Sequence, residues 1–351
     1  MPGVSILEEL HSVCAGGLGG VAVDTAAAAA VAATLKADDV RAAARTGFPV
    51  KFDSLEDEIT FLAIYRLLDF GGEFDRLLRA AAGRGARETL QFGALGMHLG
   101  GKRLDRFFLS DFSAFSVTNY FSFEARVDHE LQPGITISKP GPLQPLAEAI
   151  RGALNGAGAA LERLGCRTLG QHILGLLDGR AAAGEPALAA ALIADLAANI
   201  PGFDDVSECG GQRVPFYRKA QALAGDLFAR FGGGGGGGGG EGGADPRFAW
   251  DDAERLAGDS GAAAAAAWRA LGVVQPPDAL AAAVDAGQPV SGDDEAALRA
   301  AAVAAADAVA AAAGGELTAA QVSAWAAGLL DDSGELAEKA KPHIKTGTVA
   351  Y

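Results

Sequence analysis

Alanine sets the first constraint on this chain. It fills one segment after another, most densely at 262–267 and across 293–313. No residue costs less in a helix interior, so a mainly helical fold is the expectation. A second compositional feature interrupts it. Nine consecutive glycines occupy 232–240, and Gly242 and Gly243 extend the run. Such a stretch buries nothing that would offset its ordering entropy, so 232–243 reads as a low-complexity insertion forming a flexible, disordered loop. It is not a phosphate loop, because no Gly-Lys-Ser/Thr follows it.

Helical spacing and start signals divide the rest. Helices are expected at 5–13, 25–35, 73–82, 87–99, 146–164, 169–177, 186–199, 215–231, 251–256, 262–271, 277–286, 293–313 and 318–330. Another starts at Ser54, a capping residue followed by Glu56, Asp57 and Glu58. Its apolar positions Ile59, Leu62, Ala63, Leu67 and Phe70 recur at helical spacing. The aromatic stretch 107–124 suits short helices or a hairpin. The segment 129–145, with four prolines and the triplet Ile135-Thr-Ile, is the clearest non-helical connection. No repeat of fixed period is present, which argues against a solenoid. The 351 residues are expected to form a single all-α, multi-helix domain over 1–351.

Several function classes are disfavoured. The formal net charge is −15 and no basic run stands against it, which disfavours a protein that grips a nucleic-acid polymer. A small phosphorylated ligand in a local basic pocket fits better. Cys14, Cys166 and Cys209 are far apart and odd in number, so neither a disulfide framework nor a zinc site is expected. The first 35 residues hold Glu8, Glu9 and Asp24 but no Lys or Arg, unlike a secretory or transit peptide. No stretch of about 20 residues is apolar throughout. A cytoplasmic protein without membrane contact is the expectation. His98, His129, His172 and His343 share no metal spacing, and Glu8-Glu-Leu-His11 lacks the second His of a zinc helix. Gly16-Gly-Leu-Gly-Gly20 lacks the dinucleotide fingerprint. No metal or cofactor is called for.

The densest polar cluster is Gln212-Arg-Val-Pro-Phe-Tyr-Arg-Lys-Ala-Gln, continuing to Asp226. Pro215 suits a first helical turn. Arg218, Gln221 and Gly225 then share one stripe, and Lys219, Ala222 and Asp226 the next. Two readings stand: a solvated helix with salt bridges, or a ligand face where Arg218 and Lys219 hold a phosphate. Phe216 and Tyr217 are core rings or stacking rings.

Ile200-Pro-Gly-Phe-Asp-Asp-Val, followed by Val214-Pro-Phe-Tyr-Arg-Lys-Ala-Gln-Ala-Leu-Ala-Gly-Asp226, resembles the signature of the queuosine salvage family. Weaker likenesses lie at Leu271-Gly-Val-Val, Leu280, Asp285-Ala-Gly-Gln, Asp294-Glu, Leu298-Arg299 and the His343-Ile-Lys ending. The helix 61–70 also resembles one that leads into a family Asn-Phe, here Asp69-Phe70. The resemblance implies a helical fold shaped like the DNA glycosylases. It implies N-glycosyl hydrolysis of queuosine 5'-phosphate with release of queuine, in salvage of a modified tRNA base. The implied partner is that small nucleotide.

The chain also departs from the family pattern. Gly71-Gly72 replaces a Phe-Trp. Gly258-Asp-Ser-Gly261 and alanines stand where Ala-Asp-Tyr-Arg-x-Pro is expected, and Ala297 replaces the Glu of a Glu-Ile-Arg. Asp259 and Asp226 are the candidate catalytic carboxylates. Candidate substrate contacts are Phe216, Tyr217, Arg218, Lys219, Gln221, Asp69, Phe70, Arg299 and His343. The departures leave open a non-catalytic relative that binds a nucleotide or a protein.

Overall fold

A computed structural model describes residues 5–44, 50–233, 244–330, 336 and 339–345. The part of the glycine run at 234–243 lies outside the described residues. The chain is predominantly helical, with sixteen α-helices among the described residues and three two-stranded sheets. No helix among them is long and apolar enough to cross a membrane.

Contacts divide the chain into two compact units. The first draws on Met1–Pro49, Gly179–Asp195 and Asp205–Thr346. Its centre is the 21-residue helix Gly292–Ala312. Ser291 caps that helix, its Oγ accepting from the Asp294 N–H at 3.0 Å, and Asp293, Asp294 and Glu295 fill the first turn. The helix is buried on nearly every side, including Ala296, Ala297, Ala300, Ala302, Val303, Ala305, Ala306 and Val309. Ile6–Ala15, Thr25–Ala32, Ala262–Ala270 and Ala319–Gly328 pack around it. Methyl side chains let those helices approach closely, and Trp268 supplies the bulk they lack. The hairpin Ser207–Cys209 with Gln212–Val214 turns through Gly210 and Gly211, at φ 58° and 80°. That is the left-handed pair a two-residue hairpin needs. It leads directly into the polar segment.

The second unit holds Val50–Asp178 and Leu196–Asp204. Ser54 caps Leu55–Leu67 as expected, accepting from Asp57 N–H at 3.1 Å. The 107–124 stretch resolves into helices Arg106–Ser110 and Ala114–Phe121. The non-helical connection is a hairpin, Arg126–Gln132 paired with Ile135–Pro140, and it starts earlier than the prolines suggested. The expected helix at 251–256, in the first unit, is only a short 3-10 turn, Ala253–Arg255.

Candidate functional site

The polar motif begins a helix later than its proline suggested. Helix Arg218–Phe231 is preceded by Tyr217 in the left-handed region at φ 45°. The Phe216 N–H turns back to Val214 O at 3.1 Å, and the Tyr217 N–H donates to Asp205 O at 2.8 Å. Pro215 therefore lies outside the first turn. Asp205 completes the cap, its Oδ2 accepting from the Arg218 N–H at 3.2 Å. The solvated-helix reading fails here, because Lys219 is fully buried and Gln221 and Asp226 are nearly so.

Beneath this cap lies a buried charge network. The Arg299 guanidinium donates to Asp205 Oδ2, to Glu295 Oε1 at 3.3 Å and to the Ser260 carbonyl at 3.0 Å. It also reaches the hydroxyls of Ser260 and Ser207, at 3.3 and 3.4 Å. Its Cζ lies 3.9 Å from the Phe216 ring centroid, a cation–π contact with a ring that has no exposed surface. Lys345 Nζ stands 3.7 Å from Glu295 Oε2. His343 is buried, and its pKa falls to about 3 through burial first, then the charges of Arg299 and Lys345.

One carboxylate at the edge of this network reaches solvent. Asp259 is 32% exposed at its side chain. Its Oδ1 accepts from Arg218 Nε at 2.5 Å and from the Gly261 N–H at 2.9 Å. Oδ2 meets Arg218 Nη2 at 3.4 Å, and the Asp259 N–H donates to Ser323 Oγ at 2.9 Å. Gly261 caps helix Ala262–Ala270, so the carboxylate stands at the positive end of that helix. A Cβ on Gly261 would lie 2.9 Å from Arg218 Nε, which is why no larger residue fits unchanged.

The structure thus brings Phe216, Arg218, Asp259, Arg299 and His343 together within the first unit, with Tyr217 at the cap of the motif helix and Lys219 buried on that helix. Gln221 is committed to backbone: its Nε2 donates to Phe216 O at 2.7 Å, and its Oε1 accepts from Ala257 N–H at 2.9 Å. It ties the motif helix to the strand of chain that carries Asp259. Asp226 lies five residues beyond Gln221 on the same helix. Asp69 and Phe70 belong to the second unit. There Asp69 pairs with Arg66 at 3.5 Å and lines a small cavity with Tyr65, Leu68, Arg87, Leu90 and Gln91, while Phe70 is buried. His98 ends helix Ala86–Leu99, its ring against Phe52 and Phe61 at 4.8 and 5.5 Å. No group of His, Cys, Asp and Glu among the described residues could hold a metal ion.

Asp205 and Glu295 were not singled out from sequence as site residues. Asp205 was visible only as part of the Asp-Asp-Val motif. Glu295 had a local signal, its four-residue spacing to Arg299.

The fold is predominantly helical, and its first unit holds a buried guanidinium–carboxylate network beside the partly exposed Asp259. The chain belongs to the queuosine salvage protein family, whose model matches residues 104–333. No curated protein matches it. The matched span includes the motif helix, Asp205, Asp259, Glu295 and Arg299, while His343 and Lys345 lie beyond it, and the family's place is in queuosine salvage.

Proposed function

We propose that the chain is a cytoplasmic N-glycosyl hydrolase that releases queuine from queuosine 5'-phosphate. Water adds at the anomeric carbon, the bond to the base breaks, and the base leaves with a proton. The transition state carries positive charge on the ribose, which a nearby carboxylate stabilises or relieves by activating the water. The base is a 7-deazaguanine, with carbon where a purine has N7. That position cannot be protonated, so other polar contacts must assist its departure.

The observation that carries this reading is Asp259. It is open to solvent while Asp205 and Glu295 are buried, and Arg218 and the Gly261 N–H fix its orientation. Asp226 is the second candidate, and its burial makes it the weaker one. Arg218 orients the carboxylate and is the candidate for the 5'-phosphate, whereas the burial that weakens Asp226 weakens the fully buried Lys219 in the same way. Incubation with queuosine 5'-phosphate and chromatography for free queuine tests the proposal, with Asp259→Ala and Asp226→Ala alongside. Release by the parent that is lost in Asp259→Ala supports it. A folded parent that releases nothing overturns it.

A second reading, nucleotide binding without cleavage, is favoured by Ala297. The resemblance calls for glutamate there, and the methyl instead packs against the Gly19 turn. Saturable binding of the nucleotide without release would decide for it.

A further inference from the structure

Helix Ile6–Ala15 lies outside the residues that match the family, yet it touches both chain segments that build the site. Glu9 pairs with Arg213 at 3.1 Å, and Arg213 Nη2 donates to the Tyr217 hydroxyl at 2.7 Å. That chain of contacts reaches the left-handed residue that starts the motif helix. One residue earlier, Glu8 pairs with the Arg255 guanidinium. Arg255 ends the 3-10 turn that runs into Asp259 four residues later.

His11 closes the arrangement. Its Nδ1 lies 2.7 Å from Asp307 Oδ2, and its Nε2 lies 2.9 Å from the Arg255 carbonyl. Both partners are acceptors. A neutral imidazole carries a single N–H and makes only one of these bonds, whereas an imidazolium makes both. We infer that His11 is a positioning residue: as an imidazolium it locks helix Ile6–Ala15 onto the Ala253–Arg255 turn and so holds Asp259 in place. The lock stands on its own geometry, and its consequence for turnover rests on the hydrolase reading.

The charges around the ring favour its protonation. The hydrogen bond to Asp307 raises the His11 pKa most, against burial and the nearby Arg255 charge, which lower it. Asp307 faces it from helix Gly292–Ala312, Arg255 from the 3-10 turn, and Glu8 from its own helix, where Glu8 is held by Arg255. Glu9 is taken up by Arg213 from the hairpin strand Gln212–Val214. Cys14, buried on the same helix, has its thiol pushed up to about 12 by burial and by Asp307, so it stays neutral while His11 titrates.

The test uses the full chain between about pH 5 and 8, the range in which histidine titrates. NMR follows the His11 ring, and amide hydrogen exchange follows 253–261. The expected result is a His11 pKa above the ordinary 6.5 and protection at 253–261 that falls as pH rises through it. His11→Gln, folded by circular dichroism, should lack that pH dependence and exchange several-fold faster at the acid end. Asp307→Asn, which keeps the side-chain shape and drops the charge, should shift both midpoints down together. A His11 pKa at or below 6.5, or equal protection in parent and His11→Gln, overturns the inference. Queuine release should lose its alkaline limb in His11→Gln through kcat with KM unchanged. A parent with no release sinks the hydrolase reading alone, because the ring titration and the exchange decide the lock without turnover.

Discussion

Asp205 and Arg299, 94 residues apart, meet side chain to side chain with only 2% and 1% of their side-chain surface exposed. A buried pair of this kind contributes little over an apolar pair of the same shape. Losing Asp205, however, leaves the buried Arg299 with Glu295 as its remaining carboxylate partner among the described residues. Asp205→Ala should therefore cost about 3–5 kcal/mol, read as a shift in chemical denaturation. Replacing both, Asp205→Leu with Arg299→Met, should cost clearly less than the sum of the single changes. Additive costs would show that the two side chains do not depend on each other.

Asp259 and Asp226 separate by kinetics. Loss of a carboxylate that acts on the ribose costs about 10²–10⁴-fold in rate. Asp259→Asn keeps the shape and should lose kcat on this scale with stability nearly unchanged. Asp226→Asn should show its larger effect in denaturation, because that side chain is buried. The reverse pattern would transfer the catalytic assignment to Asp226.

Gly261→Ala is a sharper probe of orientation. Its backbone is extended at φ −76°, so alanine adopts the conformation without strain. The new methyl would still lie 2.9 Å from Arg218 Nε and 3.2 Å from Asp259 Oδ1. Arg218 must move and release the carboxylate. Reduced kcat in a protein of normal melting temperature is the expected outcome. Unchanged kcat would mean that the Arg218–Asp259 contact does not matter to turnover.

Stability should fall as the solution becomes acidic from pH 6.5, through His343. Its folded pKa of about 3 lies below the ordinary 6.5. Between those values the unfolded chain takes up a proton that the folded chain refuses. The slope for one proton is about 1.4 kcal/mol per pH unit. His11 works in the opposite sense: its folded pKa is raised, so its contribution is complete below 6.5 and is lost as pH rises through the folded value. Asp24, Asp245 and Asp285 have lowered values, through hydrogen bonds from Ala27 N–H, Arg247 and Arg269 respectively. Their contributions persist above 3.8 and fade only below it. Denaturation of the parent and His343→Gln between about pH 4 and 6.5 isolates the histidine, and the variant should flatten the slope.

Much of the helical architecture was legible because alanine, capping Ser54 and the 3.6-residue spacing all act locally. The motif helix was legible in type but not in its start: Pro215 suits a first turn by itself, and only the reach of Asp205 moves the cap to Tyr217. The pairing of Arg218 with Asp259 spans 41 residues, and that of Arg299 with Asp205 spans 94. Spacing carries no information across such distances. Around Arg299 the alanine-rich helix is buried on most sides, so no polar face marks which residues turn inward. Asp259 rests on the family resemblance alone, because Gly258-Asp-Ser-Gly261 carries no local signal of a site.

The contact between Ala297 and Gly19 makes the glycine a fitted spacer. Gly19 has φ 58°, and a Cβ there would lie 2.6 Å from that of Ala297. The 16–20 turn therefore reaches helix Gly292–Ala312 only while position 19 carries no side chain. Any L side chain at 19 would meet two penalties at once, a left-handed backbone and a helix surface already occupied by a methyl group.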